Sequence, residues 1–213
     1  MGILPTEPED ISKVVFMLRK FDKIAVRENE LQKLLISNGL SNVVQTIDPT
    51  LLLSKENWMS IFNVAGNEDD KYILIYDLNE GSFNLDVIKR FAIEKGLKYK
   101  ILKGYAAHDD TSEEITTAGP SEFLKLIYNA EYVFTSSFHG LVFSIIFEKE
   151  FYTSFNRNAG RAISLLKSLG LMDRYMAANQ SIPDIQTKIN YKMVSVDLEK
   201  LKQNSLKYLK NIM

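Results

Sequence analysis

Lys71-Tyr72-Ile73-Leu74-Ile75-Tyr76-Asp77 is the stretch on which the fold turns. Apolar β-branched and aromatic side chains run without a break up to one terminal carboxylate. A half-exposed strand would alternate apolar and polar residues, so the run predicts a strand covered on both faces. Downstream, Asn79-Glu80-Gly81-Ser82 reads as a turn, with Ser82 or Asn84 near a helix start. Val87, Ile88, Phe91 and Ala92 then recur at helical spacing and stop at Gly96. Leu97 to Lys103 is the next expected strand, and Gly104 to Gly119 is polar and irregular. Pro120 opens a helix carrying Phe123, Leu124, Ile127 and Tyr128. Tyr132 to Thr135 reads as a strand, Phe138 to Phe147 as a helix and Phe151 to Thr153 as a last strand. Helices are expected over 160–170 and, rich in lysine, over 196–212.

Upstream the same alternation holds. Ile11 to Phe21 is helical in spacing, Lys23 to Val26 is a short strand, and Leu31 to Gly39 is a helix with a glycine stop. Val43-Val44 is extended, Pro49 disfavours helix at Asp48, and Ser54 or Lys55 to Val64 is a short helix with Trp58 facing the core. Strands separated by helices of about ten residues build βαβ units with right-handed crossovers. The expected fold is therefore α/β: one Rossmann-like three-layer domain over 1–195 with a mainly parallel sheet of five or six strands. A helix over 196–213 packs on or beyond it. Segments 104–119 and 154–160 are the candidates for flexibility.

Composition narrows the function classes. The 213 residues carry 26 basic and 27 acidic side chains, a net charge of -1 that gives no general attraction to nucleic acid or to an acidic membrane surface. With no cysteine there is no thiolate nucleophile, disulfide or thiolate metal site. Two histidines, His108 and His139, cannot make an all-histidine zinc site. No apolar run approaches the ~18 residues of a membrane helix, and Met1 to Pro8 lacks the pattern of a secretory leader. A cytoplasmic location is the expectation. GxGxxG, Walker, HExxH and GxSxG motifs are all absent from the sequence.

Polar residues stand just past a predicted strand in three places: Arg27-Glu28-Asn29, Asp77 with Asn79, and Thr135-Ser136-Ser137-Phe138-His139-Gly140. The third runs straight into a helix. Small hydroxyl residues there leave backbone N–H groups to an anion, which the helix dipole favours, and the histidine adds a donor or a titratable group. Arg27 or Arg161 would complete an oxyanion clamp. The plainer alternatives stay open: Ser136 and Ser137 as helix caps, Arg27-Glu28 as a surface pair, and Asp109-Asp110 with Glu113-Glu114 as a solvated loop.

The segment from Ala118 to Phe147, with Ser137-Phe138-His139-Gly140 at its centre, resembles the signature region of the polysaccharide pyruvyl transferase family. Ile24 to Glu28, Asp48 to Leu53 with Trp58 behind, Tyr72 to Asp77, and Arg161 with Ser164 to Arg174 fit in the same order. The resemblance spans about residues 10–175. The family often has an acidic or basic residue in the turn that reads Thr135-Ser136-Ser137 here. It implies the C-terminal half of a GT-B-like fold, with an N-terminal domain missing or supplied elsewhere. It implies transfer of a pyruvyl group from phosphoenolpyruvate to a sugar, forming a ketal in cell-surface glycan synthesis. His139 would contact the donor phosphate or pass a proton. Arg27, Ser136, Ser137, Phe138, Gly140 and Arg161 would bind substrate, and no metal or organic cofactor is needed. The resemblance leaves open whether this chain alone is an enzyme. A GT-B-type sugar-nucleotide glycosyltransferase domain and a non-catalytic α/β binding module are the alternatives.

Overall fold

The computed structural model describes residues 7–66, 71–78, 81–103, 113–156, 159–176, 182 and 188–212. Most of the segment over 104–119, part of 154–160, and with them His108, Asn79 and Asp109-Asp110, lie outside the described residues. The chain divides into two compact units. The first comprises Met1–Leu52, Asn158–Leu171 and Lys192–Met213, and the second Leu53–Arg157 and Met172–Tyr191.

The second unit is built around five strands: β3 (Tyr72–Tyr76), β4 (Lys98–Leu102), β5 (Glu114–Ile115), β6 (Ala130–Thr135) and β7 (Glu150–Thr153). All pair in parallel, in the order β5-β4-β3-β6-β7. Numbered within this unit, that is the 3-2-1-4-5 order of a doubly wound sheet. Tyr72, Ile73, Leu74 and Ile75 are all buried, as the unbroken apolar run predicted. Ile73, Ile75 and Phe134 share one core cluster with Ile88 and Ala92 of α4 (Leu85–Glu94), whose cap Asn84 accepts hydrogen bonds from Asp86 N and Val87 N. By strand alternation Leu74 and Val133 face the opposite side. There α5 (Pro120–Asn129) and α6 (Phe138–Ile146) lie against β3, β6 and β7. Helix α6 is buried from Gly140 to Ile146, so it is an internal element with no solvent stripe. Trp58, on α3 (Lys55–Phe62), is half-buried and packs edge-on against Phe143 at 5.1 Å.

The first unit holds β1 (Ile24–Val26) and β2 (Val43–Gln45), also parallel, with α1 (Pro8–Leu18), α2 (Asn29–Ser37), α7 (Gly160–Ser168) and most of α8 (Tyr191–Lys210). Its core joins Val15, Ile24, Val26, Leu35, Leu40 and Val43.

Three expectations need correction. Among the described residues β1 and β2 pair only with each other, so they form a separate two-stranded sheet. Glu114 is not loop: it belongs to the edge strand β5, while exposed Glu113 just before it accepts Ile101 N–H at its carbonyl and the Tyr99 hydroxyl at Oε2. Two residues of strand are too few to carry a period. Helix α8 starts at Tyr191 and not near 196, because Tyr191 tucks its phenol against the backbone carbonyls of Ser144 and Lys149.

Candidate functional site

Strand β3 lies between β4 and β6, and the connections run one way to β4 and β5 and the other way to β6 and β7. The carboxyl ends of β3 and β6 therefore flank the topological switch point, where open α/β sheets bind ligands. Tyr76 is in register with Thr135, which places Tyr76-Asp77 beside Thr135-Ser136-Ser137.

The turn is held almost entirely by its own hydroxyls. Thr135 Oγ1 donates to the Tyr76 carbonyl at 3.1 Å and accepts Ser137 N–H at 3.0 Å. Ser136 N–H donates to the Tyr76 carbonyl. The Ser136 hydroxyl donates to Asp77 Oδ1 at 2.6 Å and accepts Leu78 N–H at 2.8 Å, while Asp77 Oδ2 accepts Ser82 N–H. Ser137 caps α6 by accepting Gly140 N–H at 3.3 Å. Burial raises the Tyr76 phenol pKa, and a hydrogen bond from the Ser137 side chain opposes part of that rise. Tyr76 is thus a neutral hydrogen-bonding group at this corner.

Of the amides at this turn, Ser136 N–H goes to the Tyr76 carbonyl of β3, Ser137 N–H to Thr135 Oγ1 and Gly140 N–H to Ser137 Oγ. Thr135, Ser136 and Ser137 are almost fully buried. Gly140 sits so close to β6 that an added Cβ would lie 2.2 Å from Thr135 Oγ1 and 3.0 Å from Thr135 Cβ. Its lack of a side chain is what lets α6 approach the strand. Phe138 is half-buried, and its ring meets the His139 ring edge-on at 5.7 Å. His139 is exposed, in the first turn of the helix, at the positive end of the dipole.

The arginines belong to the other unit. Arg27, just past β1, directs Nη1 to Asp48 Oδ2 at 2.5 Å, and Asp48 is only 5% exposed at its side chain. Burial alone would raise the Asp48 pKa; hydrogen bonds from Thr50 and the Arg27 guanidinium outweigh it and lower the pKa below 3.8. Arg161, at the start of α7, lies 3.8 Å from Glu28. Arg27 and Glu28 are therefore not paired with each other, but each with a distant partner. Ser164 accepts Asn29 N–H and a Gln45 amide proton, joining α7 to the ends of both strands. Sequence reasoning had Asp77 among its polar positions but missed Tyr76, which looked like one more aromatic of the strand. Only the β3–β6 register singles it out.

The family model described as Polysaccharide pyruvyl transferase matches residues 1–157, nearly three quarters of the chain. The chain belongs to the polysaccharide pyruvyl transferase family. Among solved structures it is similar to UDP-GlcNAc 2-epimerase from Methanocaldococcus jannaschii, crystallised with UDP-GlcNAc and UDP. There the identity is 14% and the TM-score 0.51, covering 89% of this chain and 61% of the epimerase. A second structure of that epimerase gives 15% identity and a TM-score of 0.50 over 95% and 68%. At that identity the likeness is one of fold: a GT-B-like α/β architecture, of which this pyruvyl transferase family member spans about three fifths. The comparison with curated protein sequences gives no match. Among the described residues, no helix of this family member is long and apolar enough to cross a membrane.

Proposed function

We propose that this chain carries the donor-binding part of an enzyme that transfers a pyruvyl group from phosphoenolpyruvate to a sugar of a cell-surface glycan. The observation that carries the reading is His139: exposed, in the first turn of α6, at the switch point of the sheet, in a chain of this family. Phosphoenolpyruvate presents a phosphate and a carboxylate, both suited to a helix N-terminus and an imidazole donor. In the reaction one sugar hydroxyl adds to the enol carbon while the methylene carbon gains a proton. A second hydroxyl then replaces the phosphate, which leaves as inorganic phosphate, and the product is a ketal. His139 is the group proposed to hold the phosphate or move that proton. The turn hydroxyls of Ser136 and Ser137 keep His139 and Phe138 in place. The acceptor is a sugar or glycan, and the cytoplasm is the compartment proposed.

Thermal unfolding tests the reading. Millimolar phosphoenolpyruvate is expected to raise the melting temperature of the unaltered chain, and His139→Ala to abolish that rise. The sequence expectation for Arg27 and Arg161 is read in the same assay, where Arg27→Ala and Arg161→Ala lower the protection relative to their own ligand-free baselines. No shift of the unaltered chain overturns the proposal. Protection by a nucleoside diphosphate in place of phosphoenolpyruvate favours the glycosyltransferase alternative.

A further inference from the structure

In the first unit, exposed apolar side chains gather at two helix ends. The core-facing stripe of α1 is Ile11, Val14, Val15 and Leu18. Phe16 and Met17 fall off that stripe and are 68% and 56% exposed, and Phe21, just past the helix, is 59% exposed. Leu209 and Ile212 are exposed where α8 ends. These are five of the fourteen large apolar side chains left exposed among the described residues. The two helix ends lie side by side, because Lys23 Nζ donates to the Asn211 carbonyl. Both are held in place. The Asn42 amide donates to the carbonyls of Phe21 and Asp22, and the N–H groups of Asn211 and Ile212 bond back into the last turn of α8.

The charges of both helices are sorted by sign. Glu9 and Asp10 stand in the first turn of α1, far from its end, and α8 has no carboxylate beyond Glu199. Residues 16–23 and 203–212 carry Arg19, Lys20, Lys23, Lys207 and Lys210 against Asp22 alone. Lys20 Nζ lies over the Phe16 ring at 5.7 Å. Among the described residues none of Lys20, Lys207 and Lys210 is in an ion pair. A net charge of -1 for the whole chain thus conceals a local positive excess, set among exposed apolar groups.

We propose that the adjoining ends of α1 and α8 are a docking surface for an anionic lipid bilayer. Its phosphates complement the charge of the lysines, and Phe16, Phe21 and Ile212 enter the boundary between headgroups and acyl chains. Charge decides against a second copy of the chain on the same patch, which would set five cations against five. Nucleic acid would satisfy the lysines, but Met17, Leu209 and Ile212 offer its bases no ring to stack on. The surface lies wholly in the first unit, and His139 in the second, so docking needs no part of the donor site.

Co-sedimentation of the full chain with vesicles is the test. Phosphatidylcholine vesicles containing phosphatidylglycerol should carry the chain down, pure phosphatidylcholine vesicles should carry far less, and added salt should release it. Each lysine near an anionic surface is worth about fivefold in partitioning, so Lys20→Gln, Lys207→Gln and Lys210→Gln together should weaken binding about a hundredfold. Phe16→Ser with Phe21→Ser should weaken it at least about tenfold. All five side chains are exposed, so the melting temperature of both variants should stay that of the unaltered chain. His139→Ala should sediment like the unaltered chain, which keeps this result separate from the donor reading. No binding to the anionic vesicles overturns the proposal, as does equal binding to neutral ones or binding that survives both sets of substitutions. A dimer that Phe16→Ser with Phe21→Ser dissociates, in a chain that ignores vesicles, assigns the patch to a second copy and overturns it as well.

Discussion

Polar residues stand beyond the ends of parallel strands in both units, but of different kinds. Past β6 they are neutral hydroxyls, buried and tied to backbone groups of the same turn and of β3. Past β1 and β2 they are charges, each matched by an opposite charge: Arg27 by Asp48, Glu28 by Arg161. The buried hydroxyls themselves do not titrate, and with the Asp77 carboxylate that accepts from Ser136 they can act as a mount for one exposed group, His139. Matched charges hold loops together but respond to acid. Support and exposure are therefore separated at the turn, where the buried hydroxyls and the exposed His139 are different residues.

Gly140→Ala should break the comparison hardest. Its methyl would overlap Thr135 Oγ1, forcing α6 away from β6, and stability should fall by about 3 kcal/mol or more in urea unfolding. Thr135→Ala in the same chain removes the clashing atoms and should recover part of the loss. Asp48→Ala comes next, at about 2 kcal/mol, because the Thr50 amide and Arg27 lose their acceptor. The Asp48 pKa is lowered in the folded state, so its contribution is complete above the ordinary carboxylate value of 3.8 and is lost as pH falls below it. An Asp48→Ala chain should lack that part of the acid limb in an unfolding series between about pH 5 and pH 2. The smallest effect belongs to His139→Ala, under about 0.5 kcal/mol, since an exposed ring is removed from an intact mount. A large loss of stability there would make His139 part of the mount and end the separation.

Much of the secondary structure was legible from local chemistry. Asn84 and Pro120 opened their helices where capping and proline preferences put them, and Gly39 and Gly96, both at positive φ, closed theirs. The strand-turn-helix over 130–146 was readable for the same reason, because the switch from an apolar run to small hydroxyls is a local signal. What stayed hidden was pairing. Ile115 in β5 is one apolar residue in a polar stretch, and becomes strand only because β4 offers it an edge. Arg27 and Asp48 are 21 residues apart, and their pairing follows from β1 lying beside β2.

The sequence by itself determined the alternation of helices and covered strands, the family, and the position of the polar turn, because each is written in contiguous residues. Tertiary structure alone decided that β3 is the strand between two oppositely wound halves, so that Tyr76-Asp77 meets Ser136-Ser137. It also decided that Gly140 answers to Thr135. Those are matters of which surfaces meet across long stretches of chain, and only the packed sheet brings them together.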